Sequence, residues 1–594
     1  MNKQKWMVQN KKADFQGLAR SLSIDPVTVR ILRNRGLTTE EEMREFLRVD
    51  ESKCWNPLLM KDMEKGRDII RRAIETGKKI RIIGDYDADG ITSSYILYRS
   101  ISFLNGDVSV AIPHRVKDGY GMNVNLINKC KEDGVETIIT CDNGVSAREA
   151  LLLAKEYGMD TVVTDHHQMP GTEGEDGTYI EDEVPADAVI NPKQQACTYP
   201  FKDLCGAGVA YKFASALLGD MIGDKEETGS FTTEALQAEL LMYAAIGTVG
   251  DVMDLIGENR TIVKCGLNYI NQTNDPSILA LFAQCGLEKE KVRAGNIGFQ
   301  IAPCLNASGR IDSPQHALDL LIHKSQCDVL AQRLVAMNEE RKKLTEQFVE
   351  QASEVAAESE DNVLVIYLPK CHESIAGIVA GRIRERFFKP TLVITKGEEC
   401  CKGSGRSIEA YPMYREVAKH KDLFLKFGGH SMAVGFSLEE ENISSLREKL
   451  NQDSTLMEED LEEKVLIDVP MPMEYVTLEL LEEFQRLEPF GKGNPTPLFA
   501  QKDIILNYVQ VIGKGKKFVK LFLQLPNGMK TDGVFFISPE EMADFLQESF
   551  GEETAESYMQ GKRGESIISL CYQPELHIYN GKKSIRFVIK HIGR

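Results

Sequence analysis

Ile80-Arg81-Ile82-Ile83-Gly84-Asp85-Tyr86-Asp87-Ala88-Asp89-Gly90 is the stretch on which the reading of this 594-residue chain turns. A short apolar run ends in three carboxylates at alternate positions, and Gly84 and Gly90 bracket a turn. The run reads as a buried strand. In extended chain, residues two apart point the same way, so Asp85, Asp87 and Asp89 converge if the backbone stays near-extended past Gly84. Crowded carboxylates repel and raise one another's pKa values. A bound cation removes that conflict, and hard divalent ions prefer oxygen ligands. A solvated acidic turn would carry the same residues, so the surrounding chain has to separate the two readings.

From 79 to 191, apolar runs alternate with helical patterns. Strands are expected at 79–84, 108–113, 136–140 and 161–164, with helices at 91–104, 125–133 and 147–157 between them. Such alternation implies a parallel, doubly wound sheet. Thr137-Ile138-Ile139-Thr140-Cys141 runs into Asp142-Asn143-Gly144, and Thr161-Val162-Val163-Thr164 into Asp165-His166-His167. Ligands of open parallel sheets sit beyond the carboxyl ends of the strands. Three separate strands put Asp at that one edge, and the apolar segment 243–250 ends in a further one, Asp251.

Farther out, residues 1 to about 75 look helical, with starts at Ser23-Ile24-Asp25-Pro26 and Thr38-Thr39-Glu40-Glu41. Residues 171–183 read as an acidic surface loop, 205–330 as mostly helical, and 301–310 as a loop with one basic side chain. The polar stretch 325–358 lacks Pro and Gly and reads as a connecting helix. A second α/β unit follows, with strands at 363–367 and 391–394 around a helix at 376–387. After it come two glycine-rich segments, 403–407 and 428–435, read as loops whose backbone N–H groups let phosphate approach. From about 465 the chain is β-rich, and short strands with frequent turns suggest a small barrel of oligonucleotide-binding type. Residues 561–594 carry seven Lys and Arg against Glu565 and Glu575, and Lys514, Lys516, Lys517 and Lys520 lie near Phe518 and Phe522. Basic charge interleaved with aromatics fits a single-strand groove, although a solvated basic face has the same composition.

The net charge of −19 argues against a chain coated with nucleic acid, but a sum hides local patches. No uncharged apolar stretch reaches membrane-spanning length, and the start Met1-Asn2-Lys3-Gln4-Lys5-Trp6 lacks a signal-peptide core, so a cytoplasmic protein is expected. The 13 cysteines include no Cys-x-x-Cys pair, which speaks against a zinc ribbon and for reduced thiols.

The set Gly84–Gly90, Asp142-Asn143-Gly144, Asp165-His166-His167 and Asp251 resembles the DHH phosphoesterase superfamily, and within it the RecJ family of single-strand-specific exonucleases. The likeness runs from about Trp55 to the C-terminus. It includes Asn306-Ala307-Ser308-Gly309-Arg310, Gly403–Ser407, Gly428-Gly429-His430 and the turn-dense segment Pro489–Pro495. The resemblance implies a DHH-type parallel-sheet domain, a connector helix, a DHH-associated α/β domain and an OB-like barrel. The corresponding spans are 76–324, 325–358, 359–458 and 459–594, after an N-terminal helical region 1–75. It implies two ions, Mn²⁺ or Mg²⁺, held by Asp85, Asp87, Asp89, Asp142, His166 and Asp251, with Asp142 bridging. Asp165 would support that shell and His167 would face the scissile phosphate. Arg115, Arg310, Ser404 and Arg406 would hold the 5′ phosphate or nearby backbone, and His430 would line the strand path.

The implied activity is metal-dependent 5′-to-3′ degradation of single-stranded DNA to mononucleotides in recombination and repair. A helicase and a single-strand-binding protein are the implied partners. The donor chemistry agrees, since carboxylates with imidazole suit Mn²⁺ or Mg²⁺ and thiolates would suit zinc. Three departures stand out. Cys371-His372-Glu373-Ser374 replaces a frequent Trp-His-x-Gly, Gly250 and Asp254 stand where Ala and Pro are usual, and no counterpart is seen to the extra C-terminal domain of some relatives. A phosphodiesterase for short oligonucleotides or cyclic dinucleotides, or a non-catalytic single-strand binder, would share the fold.

Overall fold

The computed structural model describes residues 4–115, 119, 121–173, 179–222, 233–579 and 581–594. The chain divides into two units, one of Val49–Leu344 with Pro489–Pro495 and the other of the remaining residues.

The unit containing Val49–Leu344 is built on a five-stranded sheet in the order Val108–Ala111, Ile80–Ile83, Thr137–Cys141, Asp160–Thr164, Ala188–Ile190, with every pairing parallel. The inner strands are buried almost throughout, and cover on both faces is why they read as apolar runs rather than alternations. From Ile80–Ile83 the chain crosses out to Val108–Ala111 and then returns to Thr137–Cys141 on the other side. That reversal opens a crevice beyond the carboxyl ends of the two central strands. The helix Ala88–Phe103 is buried around most of its circumference because Gly206–Ile222 and Thr233–Gly250 cover it in the main core.

Two expectations for this unit need correction. Residues 301–310 are not a loop: a π-turn, Ile297–Ile301, runs into the helix Ala302–Ile311. Pro303 lies in the turn that follows this π-turn, a wider turn that lets the helical run continue past a residue with no N–H to donate. Gly309 serves close packing, since a Cβ there would lie 2.9 Å from the Tyr86 carbonyl oxygen. The acidic segment 171–183 is also not all loop, because Gly171–Glu173 pairs antiparallel with Tyr179–Glu181; residues 174–178 lie outside the described residues.

In the other unit, the expected N-terminal helices form at Pro26–Asn34, capped by Asp25, and at Glu40–Leu47, capped by a reciprocal Thr39–Glu42 box. They are preceded by a strand that the sequence did not signal, Gln4–Val8, parallel to Glu463–Ile467. A mixed sheet follows in the order Phe424–His430, Ala433–Leu438, Cys401–Arg406, Thr391–Lys396, Leu364–Tyr367. The two glycine-rich segments expected to be loops are therefore strands, with their backbone groups spent in ladder bonds. Only Ser431 and Met432 separate the second pair.

The last domain closes a five-stranded barrel from Phe499–Ile512 through Phe518–Gln524, Lys530–Phe535, Lys582–Gly593 and Ser566–Tyr579 back to Phe499–Ile512. Two helices, Pro539–Phe550 and Glu552–Met559, interrupt it. The connecting helix runs Cys327–Ala357. All thirteen cysteines are free thiols. Among the described residues, no helix is long and apolar enough to cross a membrane.

Candidate metal centre and nucleic-acid contacts

Each acidic residue reaches the crevice by a different local device. Asp85 follows the strand Ile80–Ile83 and is buried, and its Oδ1 has no hydrogen-bond partner among the described residues. Asp87 caps the helix Ala88–Phe103, its carboxylate accepting from the Asp89 and Gly90 amides at 3.0 and 3.1 Å. Asp89 is already in the first helical turn. Its two oxygens accept from the Gly206 and Ala207 amides at 2.6 and 2.8 Å, at the start of the helix Gly206–Ile222. The near-extended backbone expected past Gly84 is therefore broken at Ala88.

Asp142 has φ 60, left-handed backbone that an Asp tolerates better than most residues. Asn143 locks the bend by donating to the carbonyls of Ile83 and Cys141 and accepting from the Met122 amide. Asp165 accepts from the amides of Val145, His166 and His167 and from Nδ1 of His167 at 2.7 Å. Asp251 follows the end of Thr233–Gly250.

These side chains assemble as interlocking triads: Asp85, Asp87 and Asp142; Asp89, His166 and Asp251; and Asp142, His166 and His167. His166 Nε2 lies 3.1 Å from Asp142, 3.8 Å from Asp89 and 3.8 Å from Asp251. All six expected ligands thus come together, and Asp142 and His166 each belong to two triads.

The electrostatics are those of a site short of positive charge. Burial, then the charge of Asp87, pushes Asp85 well above the usual carboxylate range and Asp89 to about 6. Burial and then Asp89 raise Asp142 strongly and Asp251 to about 7. His166 moves down, through burial and the nearby His167, and so stays neutral, as a ligand must. Burial opposes ionisation of both Asp165 and His167, yet their mutual hydrogen bond wins, holding Asp165 at about 2 and His167 at about 9. Clustered carboxylates with one neutral imidazole, and a buried carboxylate oxygen lacking a donor, fit divalent cations with a preference for oxygen ligands.

Two of the expected phosphate-binding groups belong to the same unit. Arg115 lies over the Tyr86 ring at 4.7 Å. Arg310 feels the charges of Asp87 and Arg115, and burial lowers it only to about 9, so it remains cationic at neutral pH. Ser404, Arg406 and His430 belong to the other unit. Ser404 and Arg406 share one face of the strand Cys401–Arg406, with Arg406 donating to Ser404 Oγ at 3.1 Å. On the opposite face, a Cβ at Gly403 or Gly405 would strike Phe436 or Met413. Gly377, one turn into the helix Glu373–Phe387, is also close to Ser404 and Arg406: its Cβ would lie 2.8 Å from both side chains. His430 ends the strand Phe424–His430 and is exposed.

In the barrel, Tyr508 and Phe522 stack at 4.0 Å with Lys520 over Phe522, but Lys520, Lys583 and Arg586 are paired with Asp532, Glu482 and Glu575. Part of the basic charge counted in the sequence is thus neutralised locally.

Sequence reasoning missed Asn306, whose Oδ1 accepts from the Ala88 amide at 2.6 Å and so anchors the helix start that carries Asp87 and Asp89. The segment Asn306–Arg310 carries part of the family likeness, but a loop reading gives Asn306 no structural role. It also missed Gly206 and Ala207, which act through backbone amides alone.

Comparison with known proteins follows the same division. Residues 79–248 match the DHH family N-terminal domain, 360–454 the DHHA1 domain and 467–591 the RecJ OB domain. The chain is 35% identical over 532 residues to the single-stranded-DNA-specific exonuclease RecJ of Bacillus subtilis, covering 88% of this chain and 64% of that relative. It is 30% identical to the same exonuclease of Escherichia coli, covering 96% of each. RecJ of Thermus thermophilus, solved with Mn²⁺, shares the fold at a TM-score of 0.78 and 23% identity, over 100% of this chain and 80% of that one. With the three domains in this order and a relative matched nearly end to end, the chain belongs to the RecJ family.

Proposed function

We propose that this chain is a metal-dependent exonuclease that degrades single-stranded DNA from 5′ to 3′, releasing mononucleotides. The observation that carries the reading is the set of triads joined through Asp142 and His166 at the carboxyl edge of a parallel sheet. In this reading Asp85, Asp87, Asp89, Asp142, His166 and Asp251 would hold two Mn²⁺ or Mg²⁺ ions, and Asp142 would be the ligand common to both. Two such ions supply an activated water and neutralise charge on the phosphodiester oxygens.

The chain's own residues orient the substrate. Asp165 orients the His167 ring through Nδ1, and a ring held at about 9 keeps its proton at neutral pH, so that it faces the scissile phosphate as a cation. Arg115 and Arg310 take backbone phosphate, which positions a strand without reading its sequence. Ser404 and Arg406 take the 5′ phosphate by charge-assisted bonds, and His430 lines the strand. Stacking on aromatics such as Tyr508 and Phe522 gives the barrel a sequence-tolerant grip. The domain division proposed is 1–75, 76–324, 325–358, 359–458 and 459–594. The protein works in the cytoplasm, in recombination and repair, behind a helicase and beside a single-strand-binding protein.

The test uses a single strand labelled at its 5′ or its 3′ end, incubated with Mn²⁺ or with EDTA. The 5′ label is expected to leave first, as a mononucleotide, and only with metal. Release in EDTA, or release from the 3′ end alone, overturns the reading. Consumption of short oligonucleotides with long strands untouched assigns the site to small substrates instead.

A further inference from the structure

The segment Pro489-Phe490-Gly491-Lys492-Gly493-Asn494-Pro495 precedes most of the barrel in sequence, yet it folds with the unit that carries the acidic cluster, while the chain on both sides of it does not. Its contacts are with the loop that follows Asp251. The Leu255 amide donates to the Lys492 carbonyl at 2.8 Å. Lys492 Nζ lies 3.2 Å from Asp254 Oδ1. Gly493 has φ +74, and a Cβ there would come within 3.0 Å of Asp254 Cβ. A Cβ on Gly491 would come within 2.7 Å of Leu255 Cδ1.

The segment is itself locked. Gly491 and Asn494 exchange two backbone bonds, at 2.9 and 3.2 Å, and the buried Asn494 side chain donates to the Pro489 carbonyl at 2.8 Å.

The loop it grips needs holding. Just past the helix Thr233–Gly250, in the turn that holds Asp251, Val252 has φ 56, a conformation rare for a β-branched residue and kept only where the surroundings enforce it. From the other side, Asn259 donates to the carbonyls of Asp254 and Asp203. Asp251 thus sits between a strained helix end and residues, Asp254 and Leu255, that are clasped by a distant part of the sequence.

We propose that Pro489–Pro495 is a positioning element for the metal centre, fixing the Asp251 carboxylate by bracing Asp254 and Leu255. The proposal rests on Asp251 being a metal ligand. Groups that act through a ligand in this way typically alter metal affinity by about 10- to 100-fold.

The test measures Mn²⁺ binding calorimetrically on the full chain stripped with EDTA, for the wild type, Gly493→Ala, Asn494→Ala and Asp251→Ala. Single-strand binding in EDTA is measured alongside. Gly493→Ala puts a Cβ against Asp254, whereas Asn494→Ala unlocks the turn without adding an atom. Both are expected to raise the Mn²⁺ dissociation constant by about tenfold, with binding of DNA in EDTA unchanged.

If Asp251→Ala loses affinity while both brace variants stay within about twofold of the wild type, the brace is refuted and the ligand assignment stands. If Asp251→Ala binds Mn²⁺ like the wild type, the ligand assignment fails, and the brace with it. Hydrogen exchange on the wild type gives a check that no variant can spoil by misfolding. The Leu255 amide is expected to be protected, and exchange at the rate of an open loop overturns the proposal.

Discussion

The two sheets that carry the candidate residues use opposite parts of their architecture. In the parallel sheet the chemistry lies at the edge, where strands Ile80–Ile83, Thr137–Cys141 and Asp160–Thr164 end and the loops beyond them supply Asp85, Asp142, His166 and His167. In the mixed sheet it lies on a face, where Ser404 and Arg406 stand two residues apart within one strand. The difference follows from what each group must tolerate. Carboxylates forced together need backbone amides and cations aimed at them, which loops and helix starts provide. A serine and an arginine, if they share one phosphate as proposed, need only a fixed spacing and direction, which a strand gives by its period of two.

The edge site is expected to control chemistry and the face site to control grip. Asp142→Ala tests this most severely. Cleavage should fall by about a thousandfold or more, as when transition-state charge loses its main stabiliser, while single-strand binding in EDTA persists. Retained activity would refute the bridging role. Arg406→Ala should act on KM, raising it about 10- to 100-fold through the lost charge-assisted bonds, with kcat little changed. Arg406→Lys should recover part of the loss, because Lys keeps the charge but not the fork. A fall in kcat at constant KM would erase the division of labour.

A third test uses pH. Without metal, Asp89 at about 6 and Asp251 at about 7 hold protons that the unfolded chain releases near 4. That contribution to stability is complete below the unfolded value and is lost as pH rises through 6 to 7. Metal requires the ionised forms. Melting followed in EDTA and in Mn²⁺ should therefore show a metal-dependent rise in Tm that is larger at about pH 8 than at about pH 5. An equal rise at both would mean that the carboxylates are not the binding groups. The smallest effect is expected from Gly377→Ala, whose new methyl would press on Ser404 and Arg406. KM should rise a few-fold, about 1 kcal/mol, with Mn²⁺ affinity unchanged. A change in Mn²⁺ affinity would mean that face and edge are not independent.

Much of the parallel sheet was legible, because strands buried on both faces advertise themselves as apolar runs and their ends as abrupt carboxylates. The glycine-rich segments misled for a physical reason. Glycine marks loops when it is needed for backbone freedom, but Gly403 and Gly405 are there because Phe436 and Met413 occupy the space a side chain would take. The Asn306 segment misleads in the same way, since Pro303 and Gly309 are usual loop signals yet here follow a π-turn and allow close helix packing.

The sequence alone determined which residues form the acidic cluster. Alternating carboxylates after an apolar strand, and Asp at the ends of two more, have few other uses at one sheet edge. It could not determine how Asp85, Asp87 and Asp89 are shared out, because their even spacing suggests one common direction. Only the tertiary structure decided that. Asn306 and the Asp87 cap start a helix at Ala88, the alternation stops there, and Asp89 turns away to the Gly206 and Ala207 amides. Asp85 and Asp87 are left with Asp142, and Asp89 joins His166 and Asp251. A helix that starts after a four-residue turn does what no spacing rule predicts: it splits one acidic run between two triads.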